Sequence, residues 1–105
     1  MKTVADFKDS LVLAEPPSLP PLLLALWHDA KGNWNAAHEI AQTKEGTTTY
    51  DRLHAYLHRK EGDSFNADYW YRRARAVRPE VSLTEEWDLL VEAFLALDIN
   101  SLRRN

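Results

Sequence analysis

No cysteine occurs among the 105 residues, which removes disulfides, thiolate metal sites and cysteine nucleophiles together and agrees with a reducing compartment. Glycine is scarce, at three positions, and no segment alternates apolar and polar residues between turn signals, so strands lack both their periodicity and their punctuation. No apolar run approaches the roughly 20 residues that span a bilayer; the longest, Leu19 to Trp27, contains Pro20 and Pro21. Charges at Asp6, Lys8 and Asp9 interrupt the N-terminus where an export signal would need an apolar stretch. Gly-rich phosphate loops, serine elbows and nucleotide fingerprints are missing as well. The sequence pI of about 5.8 runs against the basic footprint of nucleic-acid binders. The expectation is a cytoplasmic chain with no membrane or nucleic-acid partner and no cofactor.

What is present is an ordinary globular balance, 45% hydrophobic and 28% charged residues, in a length that suits one domain over residues 1–105. Apolar residues recur at helical spacing throughout. A first helix is expected over Thr3 to Ala14, with Val4, Phe7, Leu11 and Ala14 inward, ending before Pro16-Pro17. Ser18 and Pro20-Pro21 suit the start of a second helix, apolar all round and therefore central, that runs to about Lys31. Gly32 breaks it, and Asn33 can cap a third helix whose inner face is Trp34, Ala37, Ile40 and Ala41. A fourth follows Thr47-Thr48-Thr49 and stops at Gly62; Asp63 caps a fifth that reaches about Val77 before Pro79. Ser82 and Glu85 form a capping box for a last helix over about 83–98, with Trp87, Leu90, Val91, Phe94 and Leu97 on one stripe and a frayed tail from Asn100 to Asn105.

Net charge is −3, unevenly placed. Residues 52–78 hold seven bases against three acids, whereas residues 80–98 hold six acids and no base. The simplest reading is that the last helix neutralises the helix before it.

Self-similarity sharpens the architecture. Ala25, His28, Gly32 and Ala37 fall on Ala55, His58, Gly62 and Ala67, an offset of 30 residues. In the second copy Ala55, Gly62, Ala67, Tyr71, Ala74 and Pro79 resemble the tetratricopeptide repeat: small residues where two antiparallel helices approach, a turn glycine, a wedge aromatic and a closing proline. The family period is about 34 residues, and in the first copy Ala41 stands for the aromatic and Lys44 for the last small residue. The resemblance implies an all-α fold of about six helices, with two helix-turn-helix units near 19–45 and 48–79 between an N-terminal and a C-terminal capping helix. The runs from His54 to Asp63 and from Asn66 to Ala74 also resemble those of small uncharacterised bacterial proteins, which implies a bacterial cytosol and carries no assigned activity.

Candidate binding residues gather on the third to fifth helices. His54 and His58 lie one turn apart, a spacing that can bind a transition metal, and His38 or Glu39 could be recruited from the preceding helix. A metalloprotease would need Glu after the first His, and Ala55 stands there. Because His28 and His58 occupy equivalent repeat positions, where the tetratricopeptide pattern places a packing aromatic, a packed histidine pair is favoured and no metal is assigned. Tyr69-Trp70-Tyr71 cannot share a face: Trp70 and Tyr71 group with Ala67, Ala74 and Val77 toward the partner helix, and Tyr69 with Phe65, Arg72 and Ala76 makes a second stripe edged by Arg73. That stripe must be covered by the last helix or lie open. Covering is the simpler outcome, with Trp87 and Phe94 complementary and Glu86 or Asp88 able to pair the arginines; if open, Tyr69, Arg72 and Arg73 suit a carboxylate or phosphate. Glu39, Glu61, Asp63 and Asp68 are explained by caps and helix dipoles, so no catalytic residue is assigned. The favoured reading is a noncatalytic helical-repeat interaction module that binds a peptide or protein, or pairs with itself as a homodimer, through Trp34, His38, His54, His58, Tyr69, Arg72 and Arg73. The alternative is a small-molecule or metal site, or an enzyme, built on the same cluster.

Overall fold

The computed structural model describes residues 2–103, and these form six α-helices and one 3-10 turn with no strand. They are α1 (Val4–Asp9), α2 (Pro21–Ala30), α3 (Trp34–Gln42), α4 (Thr48–Lys60), α5 (Ser64–Arg73) and α6 (Leu83–Arg103), with the 3-10 turn over Ser10–Val12. The chain is all-α, as expected. No helix among the described residues is long and apolar enough to cross a membrane.

Gly32 and Gly62 are matched corners of two helical hairpins, α2–α3 and α4–α5. Their φ angles are +85° and +87°, in the left-handed region that a side chain disfavours. At the first corner Gly32 N–H donates to Asp29 C=O (3.0 Å) and Asn33 N–H to His28 C=O (2.8 Å); at the second, Gly62 donates to Arg59 (3.1 Å) and Asp63 to His58 (2.9 Å). Both are the paired C-terminal bonds of a Schellman motif. The following helix is capped alike, Asn33 accepting from Ala36 N–H and Asp63 from Asn66 N–H. Ala25 and Ala37 in one hairpin, Ala55 and Ala67 in the other, have no exposed surface, so backbones meet closely at equivalent positions.

Several boundaries differ from the sequence reading. α1 ends at Asp9 because Ser10 turns its hydroxyl back onto Phe7 C=O (2.6 Å) and the chain tightens into a 3-10 turn; Ala14 is exposed. Ser18 does not cap α2, whose N-cap position is Pro20 with no side-chain bond; Pro21 opens the helix and has no N–H to satisfy. α5 stops at Arg73 rather than near Val77, because a third Schellman motif closes it: Arg75 donates to Arg72 C=O and Ala76 to Tyr71 C=O, with Arg75 at φ +56° where the other two corners have glycine. Val77 is consequently 89% exposed instead of facing α4. Ser82 and Glu85 form the expected capping box, but α6 continues past residue 98 to Arg103; Arg104 and Asn105, part of the expected frayed tail, lie outside the described residues. Leu97 is 45% exposed and Leu95 takes a buried position in its stead.

The main core joins Phe7 of α1, Leu23, Leu26 and Trp27 of α2, Leu53 and Leu57 of α4, and Trp87, Val91 and Phe94 of α6. Trp87 meets Phe7 edge to face (5.6 Å, 82°) and donates its indole N–H to Leu26 C=O (3.1 Å), so the last helix seals α1 and α2. It therefore does not cover the outer stripe of α5. Nor does it neutralise the arginines at the end of α5: Glu86, with no exposed surface, lies 2.6 Å from each of the Arg52 and Arg59 guanidinium groups of α4 and accepts the Tyr71 hydroxyl proton at 2.6 Å. The acidic helix does balance a basic one, but α4 rather than α5, because α4 is the element packed between the two.

Candidate functional site

The α3–α4–α5 layer gathers four aromatic-type rings with His58 beside them. Trp34, first residue of α3, anchors its indole N–H on Leu57 C=O of α4 (2.8 Å) and stacks on His38 one turn later (4.6 Å, 13°). His38 reaches across to His54 of α4, Nε2 to Nε2 at 3.0 Å. Trp70 of α5 stacks on the other side of His54 (4.0 Å, 18°). His58, one turn along α4, stacks on His54 (4.8 Å, 25°) and sits edge-on to His38 (5.2 Å). Three imidazoles from two helices are thus clamped between two indoles, with rotamers fixed by packing rather than by solvent.

Burial follows depth in this stack. His54 is 2% exposed and His58 9%, while His38 is half-buried. Desolvation, followed by the neighbouring His38 and His58, depresses His54 to about 4, so its ring is neutral at physiological pH. His38 is also lowered, chiefly by burial and then by His58, against the opposing pull of Glu61, Glu45 and Glu39. His58 directs Nδ1 at Glu61 Oε1 (2.6 Å). One ring nitrogen from each of His38, His54 and His58 lies within 4.8 Å of the others. His54 Nδ1 is buried without any hydrogen-bond partner.

Tyr69 and Arg73 adjoin this stack at its α5 end. The Arg73 guanidinium lies over the Trp70 ring (5.2 Å) and the Tyr69 ring (5.7 Å) and donates to the Tyr69 hydroxyl (2.9 Å). Arg72 points elsewhere: it is exposed on the outer stripe of α5 with Phe65 (82% exposed) and Tyr69 (39%). The seven candidate residues therefore divide. Trp34, His38, His54 and His58 form the clamped cluster, Tyr69 and Arg73 its solvent edge, and Arg72 stands apart.

Two participants are not among the seven candidate residues. Helical periodicity gives Trp70 only a packing face, yet it is the second jaw of the clamp. Glu61 was treated as a helix-end carboxylate, although its spacing three residues after His58 is the signal for an i, i+3 bond. A separate cleft of about 390 Å³ has Asp29, Tyr56 and Lys60 at one side and Leu11, Leu83 and Trp87 among its apolar walls. Its buried carboxylate is already matched, Asp29 accepting from the Tyr56 hydroxyl and from Lys60, both at 2.8 Å. No family model, curated protein or solved structure matches this chain, so the chemistry of the site is read from its own geometry.

Proposed function

We propose that the chain is a noncatalytic, tetratricopeptide-like interaction module of the bacterial cytosol that docks an acidic, extended segment of a partner protein along the outer stripe of α5. The observation that carries this reading is the uncovered stripe itself. Phe65, Tyr69, Arg72 and Arg73 recur at i, i+4, i+7 and i+8, all exposed, while the buried apolar side chains of α6 pack on α1, α2 and α4. Among the described residues neither Arg72 nor Arg73 has an ion-pair partner, and Asp68, the acid on this face, lies 3.8 Å from Arg78. Two guanidinium groups without ion pairs, that of Arg73 lying over the Tyr69 ring, on a face that also exposes Phe65, favour carboxylates and apolar groups in alternation. The clamped histidines serve in this reading as the rigid floor that fixes the angle of α5.

A photo-crosslinking amino acid at Phe65 tests it in cells. The expected result is one dominant protein adduct, several-fold weaker when Arg72→Glu and Arg73→Glu are combined and reduced by added salt. The same label at Val12, equally exposed at 86% but remote in sequence, is expected to give none. Identical adducts from both positions, or an adduct indifferent to the charge reversal, would remove the docking surface.

A further inference from the structure

We propose that His38, His54 and His58 are the protein ligands of a divalent transition-metal ion of the zinc class. This goes beyond the docking reading and rests on different atoms: it needs nothing from Phe65, Arg72 or Arg73.

The convergence of donors comes first. Two helices bring one nitrogen from each imidazole within 4.8 Å of the others, and neutral imidazole is the common nitrogen ligand for zinc, with bonds of about 2.0–2.1 Å. Three such ligands leave a tetrahedral ion one open position. His38, half-buried, stands at the accessible side, and His54 forms the floor at 2% exposure.

Hydrogen-bond arithmetic comes second. His38 and His54 aim Nε2 at Nε2 across 3.0 Å, so without an ion only one of the two nitrogens can carry the proton between them. Two Nε2 atoms directed at one another instead describe the approach of two lone pairs to a shared cation. The third ring is oriented separately: Glu61 at 2.6 Å from His58 Nδ1 fixes the tautomer that leaves Nε2 as a lone pair, the carboxylate–histidine arrangement that supports metal ligands.

Preorganisation comes third. Trp34 and Trp70 hold His38 and His54 by stacking, so few rotamers are lost when an ion binds. Glu61, Glu45 and Glu39 oppose the burial and the His58 neighbour that lower His38. The Arg73 guanidinium lies over Trp70, 5.2 Å from its ring centroid. A second group, His58 with Glu61 and Asp63, is a poorer set, because both Asp63 oxygens are engaged by Asn66.

Zinc chloride titrated into the purified, chelator-treated full chain is the test, read by calorimetry and by imidazole nitrogen resonances. One ion per chain is expected, with His38, His54 and His58 shifting and His28 unchanged as the internal control. His38→Gln, at the partly exposed ligand, is expected to abolish binding, and Glu61→Gln to weaken it about 10–100-fold. No heat and no resonance shift at zinc well above the protein concentration overturns the site. So does undiminished binding by His38→Gln, which would place the ion on His58, Glu61 and Asp63. The resonance readout needs no variant, so a poorly folding His38→Gln does not shelter the proposal.

Discussion

Glu86→Gln should destabilise the protein by about 3 kcal/mol, a fall in melting temperature of more than about 10 °C. The carboxylate has no exposed surface and holds three groups at 2.6 Å: the Arg52 and Arg59 guanidinium groups and the Tyr71 hydroxyl. Glutamine keeps the shape but removes the charge that two cations were desolvated to meet. Breaking a buried pair by deleting one partner costs about 3–5 kcal/mol. The low end applies because both arginine side chains retain 19% exposure, so their guanidinium groups can shift toward solvent. Arg59 also keeps its bond to Val81 C=O. Burial and the Glu86 carboxylate together push the Tyr71 phenol well above its ordinary range, so Tyr71 stays a neutral donor. Glu92→Gln, an exposed change on the same helix, should move stability by no more than about 0.5 kcal/mol. Comparable effects of the two variants in thermal unfolding would contradict the network.

Phe7→Ala should cost about 3–5 kcal/mol in urea unfolding, a large fraction of the roughly 5–15 kcal/mol that holds a domain folded. α1 has only six residues, too few for an isolated helix to persist in water, so its structure depends on what Phe7 packs against. The ring is wholly buried and edge-on to Trp87, which in turn bonds α2. Removing it leaves a cavity beside Trp87 and frees the segment that Trp27 and Lys31 secure at Ser10, Leu11 and Leu13. Tryptophan fluorescence should shift before global unfolding. A loss below about 1 kcal/mol would mean that α1 does not belong to the core.

The fold was legible where the chemistry of the chain is local. Gly32 and Gly62 read correctly as corners because a left-handed residue after a helix is usually glycine, and Asn33, Asp63 and Ser82 read correctly as caps because their side chains bond donors three residues on. Arg75 defeated the same logic: it adopts the corner conformation without being glycine, so the sequence reading carried α5 to Val77. α1 was overdrawn for a related reason, since the Ser10 hydroxyl bond that ends it has no signature in hydrophobic spacing.

The site was half legible. His54 and His58 announce themselves by spacing, and His38 came with them as a neighbour. What spacing cannot give is which helix an acidic face will meet. Glu86 was matched to the arginines of α5 because these are adjacent in sequence, whereas packing set it against Arg52 and Arg59 of α4. With that assignment went the expectation that α6 would cover Tyr69 and Arg72. Trp70 was invisible as a clamp for the same reason: whether an indole stacks on His54 or on a leucine depends on the tilt of α5 over α4, set by packing in which Ala55, Ala67 and Tyr71 are buried together.

Two matched hairpins hold the histidines as a fixed stack between Trp34 and Trp70. Proton–proton distance measurements by NMR on the metal-free protein test it most directly. Strong cross-peaks are expected from the Trp70 indole to His54 and from the Trp34 indole to His38, whose ring centroids lie 4.0 and 4.6 Å apart. Sharp, freely averaging histidine side-chain signals without those cross-peaks would contradict it.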